Sequence, residues 1–347
     1  MSDNTVADTT QHMWSASCCY VGNDKGETMI TFEIGNICDC HVDAVVNPTD
    51  TRLSGSGGID RAIHIAAGEM FDNMCKNNAP CQVGQVTLTS GGNLFAKHVI
   101  HTAVPMWEKD SQDAEYLLAA CYVNSLDVAK ENNINSIAFP AIGTGSKSFP
   151  TERAAEIAMT IIWEWYVAHE DCPHITIVMT SDSKMQIYKK HFLLNVIKSF
   201  KNICSPEHLA FSTAHTLPYY FEEYGGFTKL PEVKEEQMKK YRKTYMDIHM
   251  LYCDYMNILY HTIGRPDYYS LIERGLSRVD SDVKKDEVKE FLNHLNLMQF
   301  DECVCFIVFL QRMDYASGGA SNEHLKNCMN GNIIKVLNHM ENLLTEE

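Results

Sequence analysis

Between about residues 28 and 200 the sequence switches repeatedly between short β-rich runs and longer amphipathic stretches. No other feature constrains the fold as much. The runs cover residues 29–34, 44–47, 98–102, 136–141 and 175–180, and helix-like segments cover 58–68, 113–131 and 151–168. Alternation of this kind predicts helices layered on a mostly parallel sheet, an α/β architecture. Beyond about residue 211 the pattern becomes helical throughout. A tyrosine-rich stretch over 234–262 carries Tyr241, Tyr245, Tyr252, Tyr255 and Tyr260, and Gly264, Pro266 and Asp267 then interrupt it. Further helical stretches cover 283–297, 301–314, 322–329 and 333–344, with Gly318-Gly319 between the second and third. These segments predict a smaller all-α C-terminal domain, its tyrosines packed at helical spacing. The expected division is a disordered terminus over 1–15, an α/β domain over 16–200 and a helical domain over 201–347.

Length agrees with two domains, since 347 residues exceed what one compact core usually takes. Forty-five acidic side chains against 29 Lys and Arg give a formal charge of −16, which argues against non-specific nucleic-acid binding and against an anionic membrane surface. An anionic ligand must therefore be held by local devices such as backbone N–H groups and helix N-termini. No apolar run approaches the roughly 20 residues of a membrane span. The 13 cysteines are odd in number, and no signal-peptide pattern opens the sequence, so reduced thiols and a cytoplasmic location are expected. Neither the adjacent Cys18 and Cys19 nor the pairs Cys38/Cys40 and Cys303/Cys305 have the spacing of a structural zinc site, so no metal and no cofactor are expected.

Three pieces of the first domain carry chemistry. Gly35-Asn36-Ile37 is followed by a buried strand ending in Asn47-Pro48-Thr49-Asp50, and carboxyl ends of strands are where α/β sheets place ligand contacts. The run Gly55-Ser56-Gly57-Gly58-Ile59-Asp60 leads directly into a helix, so open N–H groups and a positive dipole end favour a phosphate or carboxylate. It lacks the Gly-Lys-Ser/Thr ending of a nucleotide-triphosphatase loop and the dinucleotide-fold glycine spacing. A second glycine-rich loop, Phe139-Pro140-Ala141-Ile142-Gly143-Thr144-Gly145-Ser146-Lys147-Ser148-Phe149, joins another strand to another helix. Two such loops at strand ends fit an extended diphosphate between them.

Together these motifs resemble the macrodomain family, the three-layer α/β module with a mixed sheet that binds ADP-ribose. The resemblance covers roughly residues 28–192. Ile63-His64, Gly84, Val99-Ile100-His101-Thr102 and Cys121-Tyr122 ahead of Asn124-Ser125-Leu126 add to it. It implies adenine near Asn36 and Ile37, the diphosphate between the Gly57-Gly58 loop and the loop of Gly143, Thr144, Gly145, Ser146 and Lys147, and the distal ribose by Asp50 and Asp60. Asn47, Ile59 and Phe149 are expected among the binding residues, and Asp60 and Asp50 as the catalytic pair. The implied activity is hydrolysis of ADP-ribose from a mono-ADP-ribosylated acceptor, with a non-catalytic reader of ADP-ribose as the alternative.

Three departures from the family pattern bear on this. Asn36 replaces the usual aspartate at the adenine, where its carbonyl still accepts a hydrogen bond without charge. Asp50 replaces an asparagine, placing a second carboxylate near the ribose, either as a partner in acid and base work with one raised pKa or as an acceptor of ribose hydroxyls. Lys147 stands where the hydrolytic branch often has an aromatic, with Phe149 as a substitute stacking group. His64 and His101 are expected as packed, hydrogen-bonded histidines, and Trp163 and Trp165 as core. The end of the chain, from Phe291 to Asn338, faintly resembles a bacterial family of unknown function.

Overall fold

The computed structural model describes residues 30–107, 112–169, 171–204, 252–263, 287–316, 327–328 and 330–346. The expected terminus 1–15, Cys18, Cys19, Tyr241, Tyr245, the break at Gly264, Pro266 and Asp267, and Gly318-Gly319 lie outside the described residues. So do most of the expected helices 234–262 and 322–329.

One compact unit is Glu27–Asn195. Its six strands are β1 (Ile30–Ile34), β2 (Ala44–Thr49), β3 (Val86–Ser90), β4 (His98–Ala103), β5 (Ser136–Phe139) and β6 (His174–Met179). They form one sheet in the order β1-β6-β5-β2-β4-β3. Every neighbouring pair is parallel except β3 with β4. Its helices are α1 (Gly58–Ala67), α2 (Glu69–Asn78), α3 (Gln112–Glu131), α4 (Thr151–Ala168) and α5 (Asp182–Ile203), the last running on past Asn195. The central strands are apolar on both faces, with Val45, Val46, Val99 and Ile100 all buried, as a sheet covered on both sides requires. Trp163 and Trp165 are buried on α4. Helices α3 and α4 are tied by Arg153, whose guanidinium donates to both carboxylate oxygens of Glu115 at 2.7 and 2.6 Å.

Where the boundaries differ from expectation the cause is local. Strand β5 stops at Phe139 because Pro140 has no N–H to continue the ladder. Gly68, at φ +90°, ends α1 through its N–H to His64 O and at once begins α2, which sequence reading missed. Edge strand β3 and helix α5 were also not anticipated.

In the second unit every regular element described from Val196 onward is helical: the end of α5, residues 252–262, α6 (Glu287–Asn293), a 3₁₀ turn at Leu295–Leu297, α7 (Phe300–Ala316) and α8 (Asn332–Thr345). Of the expected helix 283–297, residues 287–293 are helical and the end is the 3₁₀ turn, while 283–286 lie outside the described residues. Tyr252 and Tyr255 are buried as packing residues, and Tyr252 Oη donates to Ile307 O at 2.9 Å. Phe291 and Phe306 stack with centroids 3.8 Å apart. No described helix is long and apolar enough to cross a membrane.

Candidate functional site

Parallel strands β1, β6, β5 and β2 all end at one edge of the sheet, and the segments leaving those ends enclose an open cleft of about 320 Å³. This is the position where open α/β sheets accept ligands. From the first glycine loop Gly57, Gly58, Ile59 and Asp60 line it; from the second, Gly143 through Lys147; from the strand ends, Asn36, Ile37 and Asp50.

Two predicted site residues do not line it. Asn47 is fully buried within β2. Phe149 is 3% exposed, its ring packed against Gly143 and 5.1 Å from that of Trp107, so it supplies no stacking face to the cleft. Sequence reasoning also missed lining residues: Ser56, and Met179, Thr180, Ser181 and Lys184 from the end of β6 and the start of α5. The rule that ligands sit at strand carboxyl ends points to Thr180 and Ser181. Lys184 follows one helical turn later.

The first loop is fixed from beneath by Asp60, the third residue of α1 and 3% exposed. Its Oδ2 accepts from the Thr49 hydroxyl and from the Ser56 N–H, each at 3.0 Å. Its Oδ1 accepts from Asn47 Nδ2 at 2.8 Å and lies 3.5 Å from His64 Nε2. The second hydrogen of Asn47 Nδ2 faces His101 Nδ1 at 3.2 Å. Turning the amide over would set its oxygen against the carboxylate, so this orientation is forced, and Asn47 Oδ1 is left buried without a partner among the described residues. With Nδ1 accepting, His101 carries its proton on Nε2 and donates to Thr89 Oγ1 at 2.9 Å. Burial, with a smaller contribution from His64, drives the His101 pKa down to about 3, so the ring is neutral. His64 Nδ1 meets Asp72 Oδ1 at 2.6 Å. Both histidines are packed and hydrogen-bonded, as expected.

Gly57 is the N-cap of α1 and has no side chain to cap it, so by helix geometry the N–H groups of Gly58, Ile59 and Asp60 have no intrahelical acceptor. Gly58 adopts φ +54°, and a Cβ there would meet only open space. The second loop is held by its own backbone: Phe149 N–H donates to Gly143 O at 3.1 Å and Ser148 N–H to Gly145 O at 3.0 Å. The N–H groups of Gly143, Gly145, Ser146 and Lys147 donate to no protein acceptor among the described residues. Gly143 sits at φ +88° with the Phe149 ring 2.9 Å from where a Cβ would stand, so glycine is required there.

Asp50 is not half of a proton-sharing pair. Burial pushes its carboxyl up, but the Ser54 hydroxyl at 2.5 Å, the N–H groups of Arg52 and Ser54, and the Arg52 charge together hold it below the usual range. It is an anion closing its own Asx turn. Asn36 likewise spends its side-chain oxygen locally, accepting from Cys38 N–H at 3.1 Å to cap the 3₁₀ turn Ile37–Asp39. One lone pair of that oxygen remains for a ligand.

The cleft is therefore polarised, with two carboxylates at the β2 end, two lysines at the β5 and β6 ends, and open N–H groups on both sides. That arrangement suits a ligand with an anionic middle and a hydroxyl-bearing end. Residues 46–158 match the Macro domain family. A macro domain-containing protein of Caldanaerobacter subterraneus is 39% identical over 162 residues, which are 46% of this chain and 92% of that protein. This chain belongs to the macro domain family. Its macro domain is also 41% identical over 140 residues to the ADP-ribose glycohydrolase MACROD1 of Rattus norvegicus; these are 40% of this chain and about half, 54%, of that protein. Among solved structures, the Oceanobacillus iheyensis macrodomain with ADP is 32% identical, with 48% of this chain and 91% of that one covered at a TM-score of 0.46.

Proposed function

We propose that the macro domain binds ADP-ribose in the cleft and hydrolyses it from a mono-ADP-ribosylated protein. The observation that carries this reading is the pairing of an uncapped helix start with a buried, multiply anchored carboxylate at one end of the cleft. The likeness to a protein named as an ADP-ribose glycohydrolase supports it. Adenine lies by Asn36 and Ile37 at the end of β1. The diphosphate lies between the α1 N-terminus and the second loop, and the distal ribose by Asp50 and Asp60 at the end of β2.

The reaction breaks the bond between the distal C1″ and the acceptor oxygen, whose electron pair stays with the acceptor. A water oxygen bonds to C1″ and its surplus proton passes to solvent. Positive charge develops at C1″ on the way, and anionic side chains fixed in advance stabilise it without needing to move. Asp50, held as an anion, accepts ribose hydroxyls and supplies no proton. A leaving group that departs without protonation fits best, so the favoured acceptor is a carboxylate ester of Asp or Glu. The described cysteines are all free thiols, which supports action in a reducing compartment such as the cytoplasm.

One observation favours a second reading. Both oxygens of Asp60 already accept hydrogen bonds, so Asp60 would have to release Asn47, Thr49 or Ser56 to take a proton from water. If attack on C1″ needs Asp60 as its base rather than solvent, a domain with that constraint reads ADP-ribose without cutting. A release assay on a protein mono-ADP-ribosylated at glutamate separates the two. The hydrolase reading expects turnover that falls by roughly 10²-fold in Asp60→Asn. Saturable ADP-ribose binding with no turnover establishes the reader, and absence of binding overturns both.

A further inference from the structure

We infer that Lys184 and Ser181 form a subsite for a phosphate on the adenosine ribose, so that the preferred ligand is ADP-ribose phosphorylated at the 2′ position. The inference rests on the ADP-ribose reading above and adds a substrate class to it. With adenine at the end of β1 and the diphosphate beside the loop after β5, the strand order β1-β6-β5 leaves one place for the adenosine ribose. That place is over the end of β6. The cleft residues leaving β6 are Thr180, Ser181 and, in the first turn of α5, Lys184.

Lys184 is half-buried, yet among the described residues no carboxylate lies within ion-pair distance of it. By contrast Lys97 reaches Asp43 at 2.7 Å and Lys190 reaches Glu152 at 2.9 Å. Among the described residues its Nζ has only long contacts to neutral oxygens, Thr144 Oγ1 at 3.3 Å and Thr144 O at 3.5 Å. The acid of its own helical turn is engaged elsewhere, since Asp182 Oδ1 accepts from Gln186 Nε2 at 3.3 Å. Ser181 Oγ accepts from the Lys184 N–H at 3.4 Å and lies 3.0 Å from Ser183 Oγ, which leaves a hydroxyl with three bonding positions one more for a ligand. The diphosphate is already provided with two sets of backbone N–H groups and Lys147. A neutral ribose diol requires no cation, whereas an ammonium group without a counter-ion at the cleft wall suits a phosphate dianion.

The test is titration calorimetry of the full chain with ADP-ribose and with 2′-phospho-ADP-ribose, at low salt and pH 7.5. The phosphorylated ligand is expected to bind roughly tenfold tighter, the effect of one charge-assisted contact. That ratio should shrink on going to pH 5, because the second phosphate ionisation lies near about 6. Lys184→Met should bring the ratio close to one while Lys184→Arg keeps most of it, with apo melting curves checking that both variants fold. Ser181→Ala, a milder change, should lower the ratio in the same direction. Binding of ADP-ribose without preference for the phosphate overturns this inference alone. So does a Lys184→Met variant that weakens both ligands by the same factor, which would assign the lysine to the diphosphate. Binding of neither ligand overturns the ADP-ribose reading and this inference with it.

Discussion

The two glycine-rich loops face each other across the cleft but are held in opposite ways. The first is anchored through side chains distant in sequence, with Asn47 and Thr49 of β2 reaching Asp60 on α1, and Asp60 reaching back to Ser56. The second is shaped by its own turns and by Phe149 packed beneath Gly143. A loop built on a buried carboxylate depends on one charged group for its position and for the stability around it. A loop built on local turns depends on backbone conformation, and most of its exposed positions tolerate change.

The largest effect separating the loops is expected from Asp60→Ala, which leaves one Asn47 amide hydrogen, the Thr49 hydroxyl and the Ser56 N–H without an acceptor. Urea unfolding should show a loss of roughly 3 kcal/mol. A loss under about 1 kcal/mol would mean that the first loop is not held this way. In the second loop, Gly143→Val must force a branched side chain into a left-handed backbone and against the Phe149 ring, at a cost of roughly 2 kcal/mol in the same assay.

A pH scan probes the first loop on a comparable scale. His101, with its pKa near 3, is neutral in the fold above that pH and takes up a proton on unfolding between about pH 3 and its ordinary 6.5. A folded-state histidine pKa below the unfolded value means that stability falls as pH falls, by about 1.4 kcal/mol per unit between those limits. The lowered Asp50 contributes with the same sign, but its stabilisation is lost only as pH drops below 3.8. The slope between pH 4 and 6.5 therefore tests the His101 arm of the first-loop network, and His101→Asn should flatten it in thermal melts. The smallest effect is expected at Gly145, which is exposed and where a Cβ meets nothing within 4 Å. Gly145→Val should leave stability within about 0.5 kcal/mol.

This contrast also accounts for what could be read in the sequence. The layered architecture, five of the six strands and the extent of α4 follow from apolar periodicity, which is local. Helix α5 carries the same signal, with Met185, Tyr188, Phe192, Val196 and Phe200 buried at helical spacing. Strand β3 alternates only threonine with partly buried apolar residues at a sheet edge, and α2 buries only Phe71 and Cys75, so neither stands out by pattern. The lining roles of Gly57, Gly58 and Gly143 to Lys147 were legible because glycine and strand-end position identify them. The partners of Asp50 and Asp60, the inward packing of Phe149 and the presence of Lys184 in the cleft were not. Each depends on which segments the sheet order brings together, and one sequence does not state that order.

In the proposed complex the α1 N-terminus and the second loop hold the diphosphate of ADP-ribose and set its distal ribose against Asp50 and Asp60. A crystal structure with ADP-ribose tests this most directly. Phosphate oxygens are expected on the N–H groups of Gly58, Ile59, Gly143, Gly145, Ser146 and Lys147, with the distal ribose hydroxyls on Asp50. A cleft left empty at saturating ADP-ribose, or a ligand bound in reverse with adenine against Asp60, would contradict it.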